Sequence, residues 1–234
     1  MRRLTDVLVF VGPSGSGKST LINHLLERWP QHFGFCTSHT TRQPRLAEVA
    51  GKHYHFVSRE TFRHMINSGA FVEYNKVFSP SRTDGARGSS NNDSTNAADD
   101  SDDADYYGTT KKELYKILNQ DKVVLMDLDI AGAMNIKKYC NCSVNGDKQP
   151  QLRVKVVFLK GPGLEVIAQR LRQRGTESDA SLQKRLRENE KWLNWCLTNP
   201  NFFNHTLLNR DLETCLAELR GFVATQVLSP ASAL

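Results

Sequence analysis

The chain has 234 residues, 24% of them charged and 39% hydrophobic, with a formal net charge of +6. That length holds one large domain with a substantial core, and no apolar run approaches the roughly 20 residues of a membrane span. Five cysteines, at 36, 140, 142, 196 and 215, are odd in number and scattered, which excludes a disulfide scaffold and points to reduced thiols in an intracellular compartment.

After Arg2-Arg3 comes the short apolar run Val7-Leu8-Val9-Phe10-Val11. It is too short for a signal peptide and reads as a buried parallel strand. Gly12-Pro13-Ser14-Gly15-Ser16-Gly17-Lys18-Ser19 follows, and it fits G-x-x-x-x-G-K-[ST], the P-loop. Glycines let the backbone curl so that successive N–H groups point at phosphate oxygens, and the new helix adds its positive end. Lys18 supplies a point charge for the phosphates, and the Ser19 hydroxyl suits Mg²⁺. Thr20 to Leu26 carries helical apolar spacing, and Trp29-Pro30 ends that helix.

Phe33 to Ser38 reads as extended, and Thr40 to Arg45 as a polar, basic loop. Arg42 and Arg45, with hydroxyls at Ser38, Thr40 and Thr41, make a second anion site; in isolation the same pair is also an ordinary solvated loop. Tyr54 to Val57 alternates like a strand, Ser58 caps a helix closed by Gly69, and Phe71 to Phe78 reads as a strand. Residues 79–105 hold seven Asp and two Arg with almost no apolar content, a net of −5 that leaves +11 on the rest. This segment is expected to be a disordered acidic surface loop.

Order resumes at Tyr106-Tyr107-Gly108. A helix is expected over Lys111 to Gln120 and a buried strand from Val123 to Asp127. A short helix from Ile130 to Tyr139 precedes a polar loop over 141–151, in which the C-x-C of Cys140 and Cys142 lacks further ligands at metal spacing. Val154 to Leu159 is a strand, Leu164 to Arg174 and Ser181 to Leu197 are helical, and Thr206 to Asn209 is a last strand. Asp211 caps a final helix running through Val227. Strands alternating with helices behind a P-loop give an α/β fold with a parallel sheet.

Arg170 and Arg174, four apart on one helical face, and the later Arg185 suit a mobile lid that neutralises a transferring phosphoryl group. On spacing alone an ordinary charged face is the better fit. Glu73 and Asp127 are carboxylates at strand ends, able to accept the adjacent N1–H and 2-amino donors of guanine. Asp127 also suits the metal side of a site at the C-terminal end of a parallel strand.

The P-loop segment through Thr20 resembles that of guanylate kinases. So do Ser38-His39-Thr40-Thr41-Arg42-Gln43-Pro44-Arg45, Glu48 to Val57, Phe71-Val72-Glu73-Tyr74, Tyr106-Tyr107-Gly108-Thr109, Asp127-Leu128-Asp129, Arg170-Leu171 with Arg174-Gly175-Thr176-Glu177, and Lys184-Arg185-Leu186. The matches run in family order from near residue 4 to near residue 225. The resemblance implies a P-loop NTPase-type parallel sheet flanked by helices (4–33, 110–160 and 200–228), a GMP-binding subdomain (about 34–109) and a lid (about 163–198), with 229–234 as a tail. It implies Mg²⁺-dependent transfer of the γ-phosphate of ATP to GMP, giving ADP and GDP. ATP would meet Gly12, Pro13, Ser14, Gly15, Ser16, Gly17, Lys18, Ser19, Thr20 and Asn209. GMP, and dGMP as a further candidate, would meet Ser38, Arg42, Arg45, Tyr54, Glu73, Tyr107, Thr109 and Asp127. Lys18, Arg170, Arg174 and Arg185 would carry catalysis, and Ser19 would face the metal.

Three departures stand out: the acidic 79–105 segment, Ala131 where the family often has Gln before Gly, and Arg210 where an acid is common. The alternatives are an inactive kinase-like interaction module and a kinase for another nucleoside monophosphate. A cytoplasmic monomer with no nucleic-acid or membrane partner is expected. The terminal Ser232-Ala233-Leu234 is a weak alternative address to a peroxisome-like organelle.

Overall fold

The computed structural model describes residues 3–45, 47–78, 104–141, 151–161, 163–173 and 179–229. A five-stranded parallel sheet lies at the centre, in the order β2-β7-β1-β8-β9. Its strands are β1 (Val7–Val11), β2 (Phe33–Phe35), β7 (Val123–Asp127), β8 (Val154–Lys160) and β9 (His205–Leu208). Every residue of β1 is buried, as expected for a central strand covered on both faces. Alternation divides it: Val7, Val9 and Val11 pack into one core, while Leu8 and Phe10 pack into the other.

The second core lies under α1 (Lys18–Arg28) and α7 (Leu212–Phe222), which bury Leu21, Ile22, Leu25, Cys215, Leu216 and Leu219. The first is covered by α3 (Lys111–Leu118), α4 (Ile130–Asn141) and the end of α6 (Asp179–Thr198). Of α5 (Leu164–Gln173), Ile167 is buried. The helix starts follow local chemistry. Ser58 accepts the Thr61 N–H ahead of α2 (Arg59–Asn67), Thr110 accepts that of Glu113, and Asp211 accepts that of Thr214.

A second, four-stranded sheet has the order β4-β3-β6-β5. It comprises β3 (His39–Thr40), β4 (His55–Phe56), β5 (Phe71–Phe78) and β6 (Ala104–Thr110). Two findings correct the reading of residues 79–105. Ala104 and Asp105 already belong to β6, opposite Phe78 and Val77, and Asp105 is only 3% exposed. Two consecutive pairs to β5 place them in the ladder despite their polar surroundings. Residues 79–103, the polar loop over 142–150 and the tail from 230 lie outside the described residues.

The β5–β6 ladder carries a bulge between Phe71 and Glu73, which brings Glu73 opposite Thr109. One extra residue bends a strand and re-aims its side chains. Among the described residues no helix is long and apolar enough to cross a membrane.

Candidate active site

The loop from Gly12 to Gly17 links the buried end of β1 to α1, and its glycines answer to space as well as torsion. Gly15 and Gly17 have φ of 83° and 102°, in the left-handed region that side chains disfavour. A Cβ on Gly12 would stand 2.4 Å from the Leu159 carbonyl oxygen, and one on Gly17 2.5 Å from Asn209 Nδ2. Asn209 reaches the loop from the end of β9 and donates from Nδ2 to the Ser16 carbonyl at 2.7 Å. Lys18 folds back over the same loop. Its Nζ donates to the Gly12 and Pro13 carbonyls at 2.8 and 3.3 Å and lies 3.6 Å from Asp127 Oδ1. Ser16 is fully buried, and its hydroxyl has no partner among the described residues. Pro13, Ser14 and Gly15 are half-buried, whereas Ser19 and Thr20 are exposed on the first turn of α1.

Asp127 owes its place to the sheet. It pairs in register with Phe10, so its carboxylate emerges beside the P-loop at the strands' C-terminal ends. Its side chain keeps 35% exposure. Desolvation raises its carboxyl above the ordinary range, and Lys18 pulls it back.

Arg42 sits in a second cluster, and each of its nitrogens has a partner. Nε donates to the Tyr107 hydroxyl at 3.1 Å, one terminal nitrogen to the Gln43 carbonyl at 2.7 Å, and the other to both Glu48 oxygens at 2.8 and 2.9 Å. The guanidinium lies 5.6 Å from the Tyr54 ring centre, and Tyr54 meets Tyr107 edge to face at 5.9 Å. Burial opposes the Arg42 charge, but its bonds to Glu48 and Tyr107 more than offset that, and its pKa rises. Glu48 also accepts the backbone N–H of Arg45 at 2.8 Å, so one carboxylate fixes both basic positions of the loop. Burial pushes the Tyr54 phenol up to about 12, with Tyr107 and then Asp127 adding to the rise. Tyr54 therefore lies within electrostatic reach of the carboxylate that Lys18 pairs with.

Glu73 anchors a third group. It is 6% exposed and hydrogen-bonded to Thr109, whose hydroxyl is 3.1 Å from that of Ser38. Burial lifts its carboxyl to about 7, against the pull of Thr109, and the Asp129 charge adds to the lift. A Cβ on Gly132 would come within 3.0 Å of Glu73 Oε2 and 3.2 Å of Asp129 Oδ1. Asp129 Oδ1 accepts from Gly132 N at 2.7 Å and from Asn75 Nδ2 at 2.9 Å.

The structure thus gathers Ser38, Glu73 and Thr109 in one group and Arg42, Arg45, Tyr54 and Tyr107 in another. It sets Asp127 with Lys18 rather than beside Glu73, where Asp129 stands instead. Asp129 and Glu48 are the residues that sequence reasoning left without a role. Both lie inside segments already singled out, but Glu73 and Asn75, which tie Asp129 to the site, are 54 to 56 positions away, and Glu48 meets Arg45 and Arg42 within a loop that has no helical or strand period. The His39 and His55 rings lie 4.6 Å apart, tilted by 33°, and burial, then the His55 charge, lowers His39 to about 4. Arg174 lies outside the described residues, as do the side chains of Arg170 and Arg185. Among the described residues no group of three His, Cys, Asp or Glu could hold a metal ion.

Comparison with known proteins identifies the family. The guanylate kinase family model matches residues 4–83 and 89–226. A guanylate kinase of Porphyromonas gingivalis is 33% identical over 221 residues, covering 94% of this chain and 97% of that protein. Guanylate kinase 1 of rice (Oryza sativa subsp. japonica) is 32% identical over 213 residues, 91% of this chain but 46% of that longer protein. The crystal structure of guanylate kinase from Anaplasma phagocytophilum superposes with a TM-score of 0.60 over all of this chain and 95% of that one. At 20% identity that likeness concerns the fold: an α/β, P-loop NTPase-type parallel sheet flanked by helices. The chain belongs to the guanylate kinase family.

Proposed function

We propose that this protein transfers the γ-phosphate of ATP to GMP, giving ADP and GDP. The observation that carries the reading is the place of Asp127. It pairs with Lys18 on the P-loop side and acts electrostatically on Tyr54 of the second cluster, so a donor and an acceptor phosphate would share one cleft.

In this reading the P-loop amides and Lys18 hold the donor phosphates, and Asn209 keeps the loop in shape. Arg42, Arg45, Tyr54 and Tyr107 take the acceptor phosphate, with Glu48 holding Arg42 and the loop backbone in place. Ser38 and Thr109 stand at the edge of the base, and Glu73 with Asp129 forms the carboxylate pair that accepts its N–H groups. Adenine offers no such adjacent donor pair. Arg170, Arg174 and Arg185 of a closing lid neutralise the transition state. No protein nucleophile is required, because the acceptor is itself a phosphate; catalysis is positioning and electrostatics. The Ser19 hydroxyl and the Asp127 carboxylate are oxygen donors that suit a hard divalent cation. Mg²⁺ bound there would supply charge neutralisation between the phosphates.

The test is a coupled assay of ADP release with GMP, AMP, UMP and dTMP as acceptors. GMP is expected to be turned over at least about 100-fold faster than the others, because unpaired buried carboxylates penalise the wrong base. Lys18→Ala is expected to abolish turnover. Comparable rates with AMP, or an active Lys18→Ala, would overturn the reading.

A further inference from the structure

A cavity of about 150 Å³ lies beside the P-loop, with Pro13 of that loop in its wall, and shares no residue with the acceptor cluster. Its apolar walls are Pro13, Ile167 of α5, Leu193 of α6 and Leu208 of β9. The strand pattern separates it from the α1 face. Leu207 packs into the core under α1 and α7, so Leu208, one residue on, falls on the opposite side, where α6 lies; Arg210 follows in the turn beyond the strand.

Asn189 of α6 lines this cavity, is 8% exposed, and leaves its Nδ2 without a hydrogen-bond partner among the described residues. A buried unsatisfied donor is costly and rare in folded proteins, so it marks a place where a partner is missing. Lys160 and Arg210 also line the cavity, and neither side chain has an ion-pair partner among the described residues. Among the described residues, these three donors thus line an apolar space without a matching acceptor, and the phosphotransfer reading gives them no role.

We propose that this cavity binds a small organic monoanion, a carboxylate on a six-membered-ring-sized apolar body. The apolar walls take the ring, the volume being about that of a cavity that holds benzene, and the exposed Leu208 and Arg210 leave it open to solvent. The carboxylate accepts from Asn189 Nδ2 and is paired by Lys160 and Arg210. A molecule seated there would join α5 and α6 to the ends of β8 and β9.

Benzoate is the probe, titrated calorimetrically into the full chain at low ionic strength. It is expected to saturate one site and to weaken as salt is added. Benzyl alcohol, with the same ring and no charge, is expected to bind at least about tenfold more weakly. Asn189→Leu is expected to cost about tenfold or more, and Lys160→Ala and Arg210→Ala several-fold each. Asn189→Asp keeps the side chain's shape and is expected to abolish binding by repulsion, with an unchanged circular dichroism spectrum as the folding control. Absence of saturable binding, equal affinity for the alcohol, or unchanged affinity in the Asn189 variants would overturn the proposal. Displacement of benzoate by ADP would place it in the donor site and overturn it as well. None of these outcomes depends on turnover, so they stand apart from the test with GMP.

Discussion

Glu73 meets two opposed demands. Burial lifts its carboxyl to about 7, so near neutral pH the free protein carries it partly protonated. A carboxyl whose folded pKa lies above its unfolded value stabilises the fold fully below the unfolded value, near 4.3, and that stability is lost as pH rises through 7. The melting temperature is therefore expected to decline between about pH 5 and 8, and Glu73→Gln is expected to remove that part of the slope. Reading guanine asks the reverse, because only the carboxylate accepts two N–H groups. The Michaelis constant for GMP is expected to rise as pH falls through 7, roughly tenfold per pH unit, while that for ATP holds steady. Glu73→Gln is expected to raise the GMP constant about 100-fold; equal damage to both nucleotides would count against Glu73 as the base reader. Asp129 adds to the rise in Glu73, so Asp129→Asn, which keeps an acceptor for Gly132 and Asn75, is expected to move the GMP midpoint to lower pH. A midpoint that stays put, followed by steady-state kinetics, would refute the coupling.

At the scale of elements, the start of β1 is tied to the start of β8 through Asp6. It accepts from Arg153 N, Nε and a terminal nitrogen, each at 2.9 Å, and from Arg3 Nε at 3.1 Å. Burial alone would raise this carboxyl, but the Arg153 bonds outweigh it and hold the pKa below the ordinary value. A depressed folded pKa gives stability that is present above the unfolded value, near 3.9, and lost as pH falls through the folded one. Asp6→Asn is expected to cost about 2 kcal/mol at pH 7, roughly 4–8 °C in melting temperature. The gap is expected to narrow as pH falls below about 4 and to close only below the depressed folded value; a gap that did not narrow between about pH 5 and 2 in thermal melts would rule out the charge as its cause. The larger elements were legible because their signals are local: five apolar residues in β1, Ser58 and Asp211 as caps, Gly69 as a stop. The two-residue strand β3 was not, although the alternation of Tyr54 to Val57 announced β4. Both exist through partners, with His55 N donating to Ser38 O and Val57 N to Thr40 O. The bulge at Phe71 and Glu73 was hidden for the same reason, since register belongs to the pair of strands and no single segment encodes it.

For the whole molecule, the residues that the sequence singled out fall into groups that only the two sheets create. Arg42, Tyr54 and Tyr107 come from three separate segments, and the second sheet alone makes them neighbours. The same sheet fixes what the acidic segment must span. Phe78 and Ala104 stand opposite each other at the end of the β5–β6 ladder, so a two-residue turn suffices to join them. Replacing residues 79–103 by Asn-Gly removes six Asp and two Arg and lifts the formal net charge from +6 to +10. Charges beyond about 8 Å are largely screened at physiological salt, so the exchange is expected to leave the Michaelis constants for GMP and ATP within about twofold. The melting temperature is expected to hold or rise, because a shorter connection costs less entropy to close. At low salt the shortened protein is expected to bind both anionic substrates more tightly, through its greater positive charge. A fall of more than about fivefold in the GMP constant at physiological salt, with ATP unaffected, would mean that the segment acts on the acceptor cluster directly and is more than a tolerated insertion.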